Sequence, residues 1–558
     1  MERHGLSQNG RGMAKQPPKL VRFSKLRRVV QILVFALFIV ILIRTVSPLK
    51  TWLPADFILR VDPLAAASTA MAARDAGRLL NTFLPALILL ASTALLGRFF
   101  CNWVCPLGTT LDIWERLIGG RGGARRAGRI RNPGRLRNLK YYVLVFFLVA
   151  AVFSTQAVWL MDPLPIATRS YGLAVYPYGT YLAKSVLGPL WKVPVVNRIS
   201  EPIYGFLKDH VFFPNPDLGY QPIGVLQHVT FLVFAGILTL SLLTPRFWCR
   251  YLCPLGAMLG LTSRMSLLRW RVDKERCTEC NRCVRECKTA AIQPKAEAYL
   301  MEECVECMDC IDVCPEKALA FGFISPGRAL EDRRRAARQG ASLSRRHILQ
   351  ATALAAVAAP FVNLNVVDRD PSPWLIRPPG SLPEREFLDR CIRCGECMKV
   401  CPTNALHPAL FQGGLEGVGT PMLVPALGYC DYECNACSQV CPTGAIRPVA
   451  LAEKKQLKIG TAYFNKNKCY PWNENLDCLV CEEHCPTPEK AIKFWDVEVL
   501  EPESNRLITV KRPYVVTEAC IGCGICETKC PLKDEPGIRV TARGETRNPE
   551  RYSEARGL

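Results

Sequence analysis

The segment RFFCNWVCPLG, residues 98–108, recurs as RFWCRYLCPLG at residues 246–256, and each copy closes a long apolar run. Apolar runs near 29–46, 79–96, 139–160 and 223–244 approach the roughly 20 residues a helix needs to cross a bilayer core of about 30 Å. Four membrane helices are expected. The far ends of the hairpins repeat as well, since VDPLAAA (61–67) follows the first run and MDPLPIA (161–167) the third. Each half therefore reads helix, D-P-L, helix, C-x3-C-P-L-G. A parallel repeat of this kind predicts a pseudo-twofold axis along the membrane normal, which would bring Cys101, Cys105, Cys249 and Cys253 together.

The chain has 558 residues and a formal charge of +22, too long for one hydrophobic core. Its basic runs, KLVRFSKLRR (19–28), GGRGGARRAGRIRNPGRLRNLK (119–140) and EDRRRAARQ (331–339), lie beside apolar segments. That placement follows the positive-inside rule and argues against nucleic acid as a partner. It puts both C-x3-C-P sequences at the cytoplasmic face and the Pro-, Tyr- and Trp-containing loop 161–222 outside.

Cysteines four residues apart share a helix face, and Pro106 and Pro254 suit the first turn of a new helix. Cys105 and Cys253 would then sit at helix N-termini, where the dipole favours the thiolate. The quartet is a candidate for a shared metal or for redox thiols, and sequence does not separate the two. Inert buried cysteine is the plain alternative.

The other 24 of the 28 cysteines form six sets of four. Cys277, Cys280, Cys283 and Cys287, then Cys304, Cys307, Cys310 and Cys314, follow C-x2-C-x2-C-x3-C. In this ferredoxin run three thiolates hold one [4Fe-4S] cube and the fourth reaches the neighbouring cube. Cys314 thus joins Cys277, Cys280 and Cys283, and Cys287 joins Cys304, Cys307 and Cys310. Beyond Arg390 come Cys391, Cys394, Cys397 and Cys401; Cys430, Cys434, Cys437 and Cys441, opening with x3; Cys469, Cys478, Cys481 and Cys485, opening with x8; and Cys520, Cys523, Cys526 and Cys530. Four more cubes are implied. Either sequential pairing, or first with fourth and second with third, satisfies the count. Zinc is the competing ligand for CxxC pairs, but the three-then-one spacing with C-P favours iron and sulfur. No C-x-x-C-H occurs, and His228 is the one histidine in a membrane run, so no haem is expected.

Between the second and third sets lies SLSRRHILQATALAAVAAPFVNLN, residues 342–365. Its apolar part, 348–364, is short and Ala-rich, and Ser344, Arg345 and Arg346 resemble a twin-arginine export signal. A fifth, signal-anchor-like helix would place the chain from Asp368 onward outside. Export of a folded unit suits clusters assembled in the cytoplasm, because metal binding and folding are coupled. A short buried helix, with all clusters cytoplasmic, is the rival.

The expected fold is an α-helical membrane domain, four helices in a two-hairpin repeat plus the fifth, with α+β ferredoxin-like domains on both sides. Its divisions are a basic cytoplasmic N-terminus (1–28), the membrane domain (29–270), a cytoplasmic two-cluster unit (271–324), a basic linker with the fifth helix (325–364) and a periplasmic four-cluster unit (365–558). Candidate proton acceptors for a quinol are Asp62 and Asp162, one per repeat, and His228, with Asp209 and His210 weaker. Asp-Pro after a helix also serves simply as a turn.

Up to about residue 324 the chain resembles the NapH-type membrane subunit of the periplasmic nitrate reductase electron supply, with four helices, two C-x3-C-P motifs and a two-cluster ferredoxin. The remainder resembles the NapG type, an exported four-cluster ferredoxin, as though the two were fused. The resemblance implies a quinol dehydrogenase of the bacterial inner membrane, working with the quinone pool and a periplasmic redox acceptor. The membrane module is also similar to maturation and assembly ferredoxins, which keeps open a role as electron donor in metalloenzyme assembly or as a wiring subunit of a larger respiratory complex.

Overall fold

A computed structural model describes residues 23–45, 56–75, 81–119, 134–190, 225–294, 299–325, 344–363, 372–500, 506–532 and 534–547, with a few single positions between them. The apolar part is a helical bundle. Its helices are α1 (Phe23–Arg44), α2 (Pro63–Ala73), α3 (Leu84–Leu96), α4 (Pro106–Gly119), α5 (Leu139–Val152), α6 (Pro163–Ser170), α7 (Val225–Leu240), α8 (Pro254–Ser263) and α9 (Arg345–Asn363).

At 1.5 Å per residue the 22 residues of α1 span about 33 Å, and α1 alone among the described helices is long and apolar enough to cross a membrane. The other three expected spans are shorter, with 13 residues in α3, 14 in α5 and 16 in α7. The four full-length helices expected from the apolar runs therefore do not appear as such. One cause is local: Ser154 takes φ +59 and turns the chain, so α5 ends well short of residue 160. Another is the presence of α2 and α6, which start at the two D-P-L sequences and pack inside the bundle, where Leu64, Ala65, Leu164, Ile166 and Ala167 are fully buried. Each begins with proline at its first turn, where the missing N–H costs nothing.

The bundle has two distinct ends. At the end where α1 and α5 begin, Arg27 pairs with Asp309 at 3.2 Å and Lys140 with Glu303 at 2.6 Å. These contacts seat the first cysteine-rich unit, closed by the antiparallel strands β1 (Leu268–Val272) and β2 (Leu319–Phe323). Beyond the end of α5, the Gln156 carbonyl accepts from Arg393 at 2.6 Å, and Asp75 pairs with Arg390 at 3.3 Å. The second cysteine-rich unit rests there. Helix α9 joins the two and runs parallel to α5, with His347 edge-on to Tyr142 at its start and the Ala359 carbonyl accepting from Thr155 near its end.

Among the described residues there are four two-stranded antiparallel ladders. Those of the second unit are β3 (Leu406–Pro408) with β4 (Pro421–Leu423), β5 (Thr461–Phe464) with β8 (Ile538–Thr541), and β6 (Ile492–Leu500) with β7 (Leu507–Val515). The outer faces of α1 and α9 leave Val29, Ile32, Leu33, Leu37 and Val40, and Leu349, Leu354, Val357 and Phe361, exposed. Apolar faces of this extent mark contact with lipid or another apolar surface.

Candidate functional site

In the four sets with regular spacing the backbone makes the same loop. The residues flanking the second cysteine both take positive φ: Glu279 and Asn281, Glu306 and Met308, Arg393 and Gly395, and Gly522 and Gly524. Left-handed residues at these places wrap the chain around a centre and turn backbone N–H groups toward it. The third cysteine of every set then lies in a short helix.

The loops gather the sulfurs into six groups. One cavity is lined by Cys277, Cys280, Cys283 and Cys314, another by Cys391, Cys394, Cys397 and Cys441, and a third by Cys485, Cys520, Cys523 and Cys526. For the rest, burial raises the thiols of Cys310, Cys437 and Cys481, and neighbouring sulfurs raise them further. Around Cys310 these include Cys307, Cys304 and Cys287; around Cys437, Cys430, Cys401 and Cys434; around Cys481, Cys469, Cys478 and Cys530. The first unit thus groups as its spacing predicts. In the second unit the pairing is sequential, first set with second and third with fourth. The six are named below by one member each: the Cys280, Cys307, Cys394, Cys430, Cys478 and Cys523 sites.

The residues present fit iron–sulfur cubes. Backbone N–H groups point at the sulfurs, from Ala291 to Cys287 at 3.2 Å, Ala318 to Cys314 at 3.3 Å, Glu306 to Cys304 at 3.3 Å and Ala405 to Cys401 at 3.4 Å. Such donors favour the charged thiolate and tune a bound cluster. The Cys280, Cys394 and Cys523 groups each line a cavity, and among the described residues no three Cys, His, Asp or Glu side chains converge on a single ion.

The quartet of the repeated motif lies at the end of the bundle that carries the first unit. Cys101, Cys105, Cys249 and Cys253 are all buried and share one apolar core. Cys253 caps α8 and accepts from the Gly256 N–H at 3.2 Å. The expected lowering of the thiol pKa does not follow. Burial is the largest influence on Cys105, Cys249 and Cys253 and raises all three, outweighing the helix N-terminus.

Two residues that motif reading passed over organise this centre. Arg98 opens the first copy and Arg246 the second, and each reaches across to the other repeat. Arg98 donates from Nε to the Cys101 sulfur at 3.3 Å and from its terminal nitrogens to the carbonyls of Cys249 (3.4 Å) and Glu302 (3.2 Å). Arg246 donates to the carbonyls of Cys101 (3.2 Å) and Gly108 (3.4 Å) and pairs with Asp112 at 2.9 Å. The last residue of each copy is glycine for a matching reason: a Cβ at Gly256 would collide with Arg98 Nη2, and one at Gly108 with the Cys101 carbonyl. The signal was present in the sequence as an invariant Arg and Gly at the ends of the two copies.

Asp62 and Asp162 come together, one from each repeat. Both are fully buried, and the two carboxyl groups lie near enough to influence each other, with both Asp162 oxygens buried and lacking a hydrogen-bond partner among the described residues. Asp62 also caps α2, accepting from the N–H groups of Leu64 at 2.9 Å and Ala65 at 3.3 Å. The pair lies beyond the apolar spans. Burial raises Asp62 to about 6, while burial and the neighbouring Asp62 hold Asp162 well above its ordinary value. His228 does not join them; it is exposed on α7 and bonds Tyr178. Asp209 and His210 lie outside the described residues.

Comparison with known proteins identifies the same segments. A model described as a 4Fe-4S binding domain matches residues 79–125 and 226–275, which contain the two C-x3-C-P copies. A 4Fe-4S dicluster domain matches 276–319, and 4Fe-4S binding domains match 387–407 and 517–541. The sets opening with x3 and x8 lie outside these matched segments. The ferredoxin-type protein NapG of Escherichia coli is 34% identical over 186 residues, covering 32% of this chain and 76% of the relative. The methylamine utilization ferredoxin-type protein MauM of Methylorubrum extorquens is 34% identical over 180 residues, 31% of this chain and 78% of the relative. The ferredoxin-type protein NapH of Haemophilus influenzae is 26% identical over 276 residues, 48% of this chain and 76% of the relative. No solved structure matches.

Proposed function

We propose, on the premise that this chain belongs to the NapG- and NapH-type polyferredoxins and is an iron–sulfur electron-transfer protein, that it is a quinol dehydrogenase of the bacterial inner membrane. The observation that carries the reading is the seating of cysteine-rich units on opposite ends of one apolar bundle, with a buried carboxyl pair at the end that meets the second unit. The membrane surrounds the apolar faces of α1 and α9. The first unit is cytoplasmic and the second periplasmic, carried across by α9 behind its Arg345 and Arg346.

Six [4Fe-4S] clusters, held by the 24 cysteines of the six sites, supply one-electron carriers. The protein does the rest. Oxidising a quinol to a quinone releases two electrons and two protons. Asp62 and Asp162, like charges buried side by side, do not both ionise, so one keeps its proton while the other takes the first proton of the quinol, passes it to water at the outer end and then takes the second. Its neighbourhood leads directly to the second unit: Asp162 follows Trp159, on whose ring the Arg393 guanidinium stacks at 4.7 Å, and Arg393 precedes Cys394.

The Cys101, Cys105, Cys249 and Cys253 quartet fits a further metal–sulfur group. Arg98 is a buried cation whose hydrogen-bond acceptors are a sulfur and two carbonyls, and a buried charge requires compensation. Thiolates holding a cluster supply it; neutral thiols do not. Purified chain in liposomes should oxidise menadiol with reduction of a soluble acceptor, and a preparation loaded with iron that leaves menadiol unoxidised contradicts the proposal.

A further inference from the structure

We infer that the four sites of the second unit form a single file, entered at the Cys394 site against the bundle and left at the Cys478 site, where a soluble one-electron protein exchanges electrons. The inference rests on the electron-relay reading and extends it to an order and an exit.

The order follows from three junctions. The Cys394 and Cys430 sites interlock, because Cys401 leaves its own set to complete the second and Cys441 leaves its own to complete the first. The Cys523 and Cys478 sites interlock in the same way through Cys485 and Cys530. Between these pairs the chains touch next to sulfur: the Cys430 N–H donates to the Cys523 carbonyl at 2.8 Å, and the Cys430 sulfur is among the neighbours of Cys523. The junction is braced alongside, where Thr528 donates to the Pro425 carbonyl at 2.6 Å and Gly524 lies against Pro425.

The direction follows from the two ends. The Cys394 site is embedded in the bundle. Cys394 belongs to the bundle's own apolar core, and a Cβ at Gly395, with φ +85, would press on Leu173. The Cys478 site is bounded by solvent, with Leu476 56% and Leu479 37% exposed on either side of Cys478. Trp495, half exposed on β6, stands beside it through its contact with Trp472. Electron transfer between such sites falls steeply with separation, so electrons arriving from the bundle pass the Cys430 and Cys523 sites in turn, one reduced as its predecessor is oxidised. The first unit has the same polarity, since Cys307 packs against the bundle core and Cys280 is exposed.

The test uses the full chain, purified anaerobically, with electron paramagnetic resonance as the readout. After dithionite reduction of Cys434→Ala, the Cys394 site should lose its spin coupling, while the Cys523 and Cys478 sites remain coupled to each other. With menadiol as donor, the same variant should reduce the Cys523 and Cys478 sites at least tenfold more slowly than the parent chain. A Cys394 site that stays coupled, or distal sites reduced at the parental rate, overturns the order. The dithionite arm does not involve quinol, so it judges the order even where menadiol reduces nothing and the dehydrogenase reading fails. The exit is tested by Leu476→Ser, at a residue that is no ligand and whose side chain is exposed. Transfer from the prereduced chain to soluble cytochrome c should slow about tenfold, with menadiol reduction of the internal sites unchanged; an unchanged rate to cytochrome c overturns the exit.

Discussion

Arg98 Nε lies 3.3 Å from the Cys101 sulfur, and among the described residues this buried guanidinium has no carboxylate within ion-pair distance. Arg246, its counterpart in the second repeat, pairs with Asp112 instead. Two arginines equivalent in sequence therefore have different partners, one an acid at ion-pair distance and the other a sulfur and two carbonyls, with Glu303 acting on it from farther away. The asymmetry separates two outcomes of mutation.

Arg98→Gln should empty the quartet, because an anionic metal–sulfur group loses its counter-charge there. Iron per chain should fall by the share of that one site, with the six ferredoxin sites intact, and Arg98→Lys should retain part of it. Arg246→Gln should instead destabilise the fold by about 1–3 kcal/mol, since the buried Asp112 loses its guanidinium but keeps Lys288 at 3.1 Å and Gln31 at 3.0 Å. Thermal unfolding in detergent and metal analysis distinguish the two. Equal iron content in Arg98→Gln and the parent chain contradicts a charged group in the quartet.

The carboxyl pair predicts a pH dependence of stability. Burial raises Asp62 from 3.8 to about 6 and holds Asp162 well above its ordinary value, so the folded chain binds protons that the unfolded chain has released. A raised acid contributes stability that is fully present below about pH 4 and is lost as pH climbs through about 6 and beyond. Asp162→Asn, which removes the upper titration, should flatten the decline in melting temperature between pH 5 and 8. A slope identical to that of the parent chain rules out the shared proton.

Arg345 and Arg346 are exposed at the start of α9, where among the described residues they make no ion pair with a carboxylate. Replacing both with lysine should leave the bundle intact but keep the second unit on the cytoplasmic side. Protease added to the outside of spheroplasts should then fail to cut residues 372–547, which it cuts in the parent chain. Equal cleavage of both chains means that α9 crosses without the twin-arginine signal.

Much of the site could be read directly from cysteine spacing, because three ligands of one cube must come from one tight loop. The positive φ values at Glu279, Asn281, Glu306 and Met308 are the backbone cost of that loop. The fourth ligand is different. Cys401 and Cys441 cross between sets by tertiary packing, so local spacing could not choose between sequential and nested pairing. Helix ends were misjudged where an apolar run outlasts the helix. The apolar run read over 139–160 is broken by Ser154, Thr155 and Gln156; Ser154 turns the chain, and the segment becomes a short turn leading to Asp162. The D-P-L sequences looked like plain turns as easily as proton sites; only their meeting in the folded bundle distinguishes Asp62 and Asp162. His228 had the right chemistry and the wrong face.

The central claim is that quinol oxidation loads the protein's iron–sulfur centres. Anaerobic titration of the purified, oxidised chain with menadiol, followed by electron paramagnetic resonance, tests it most directly. The account predicts a growing reduced-cluster signal, two electrons gained for each menadiol consumed, strongly slowed in the Asp62→Asn, Asp162→Asn double variant. Clusters that remain oxidised under excess menadiol, while dithionite reduces them fully, would contradict it.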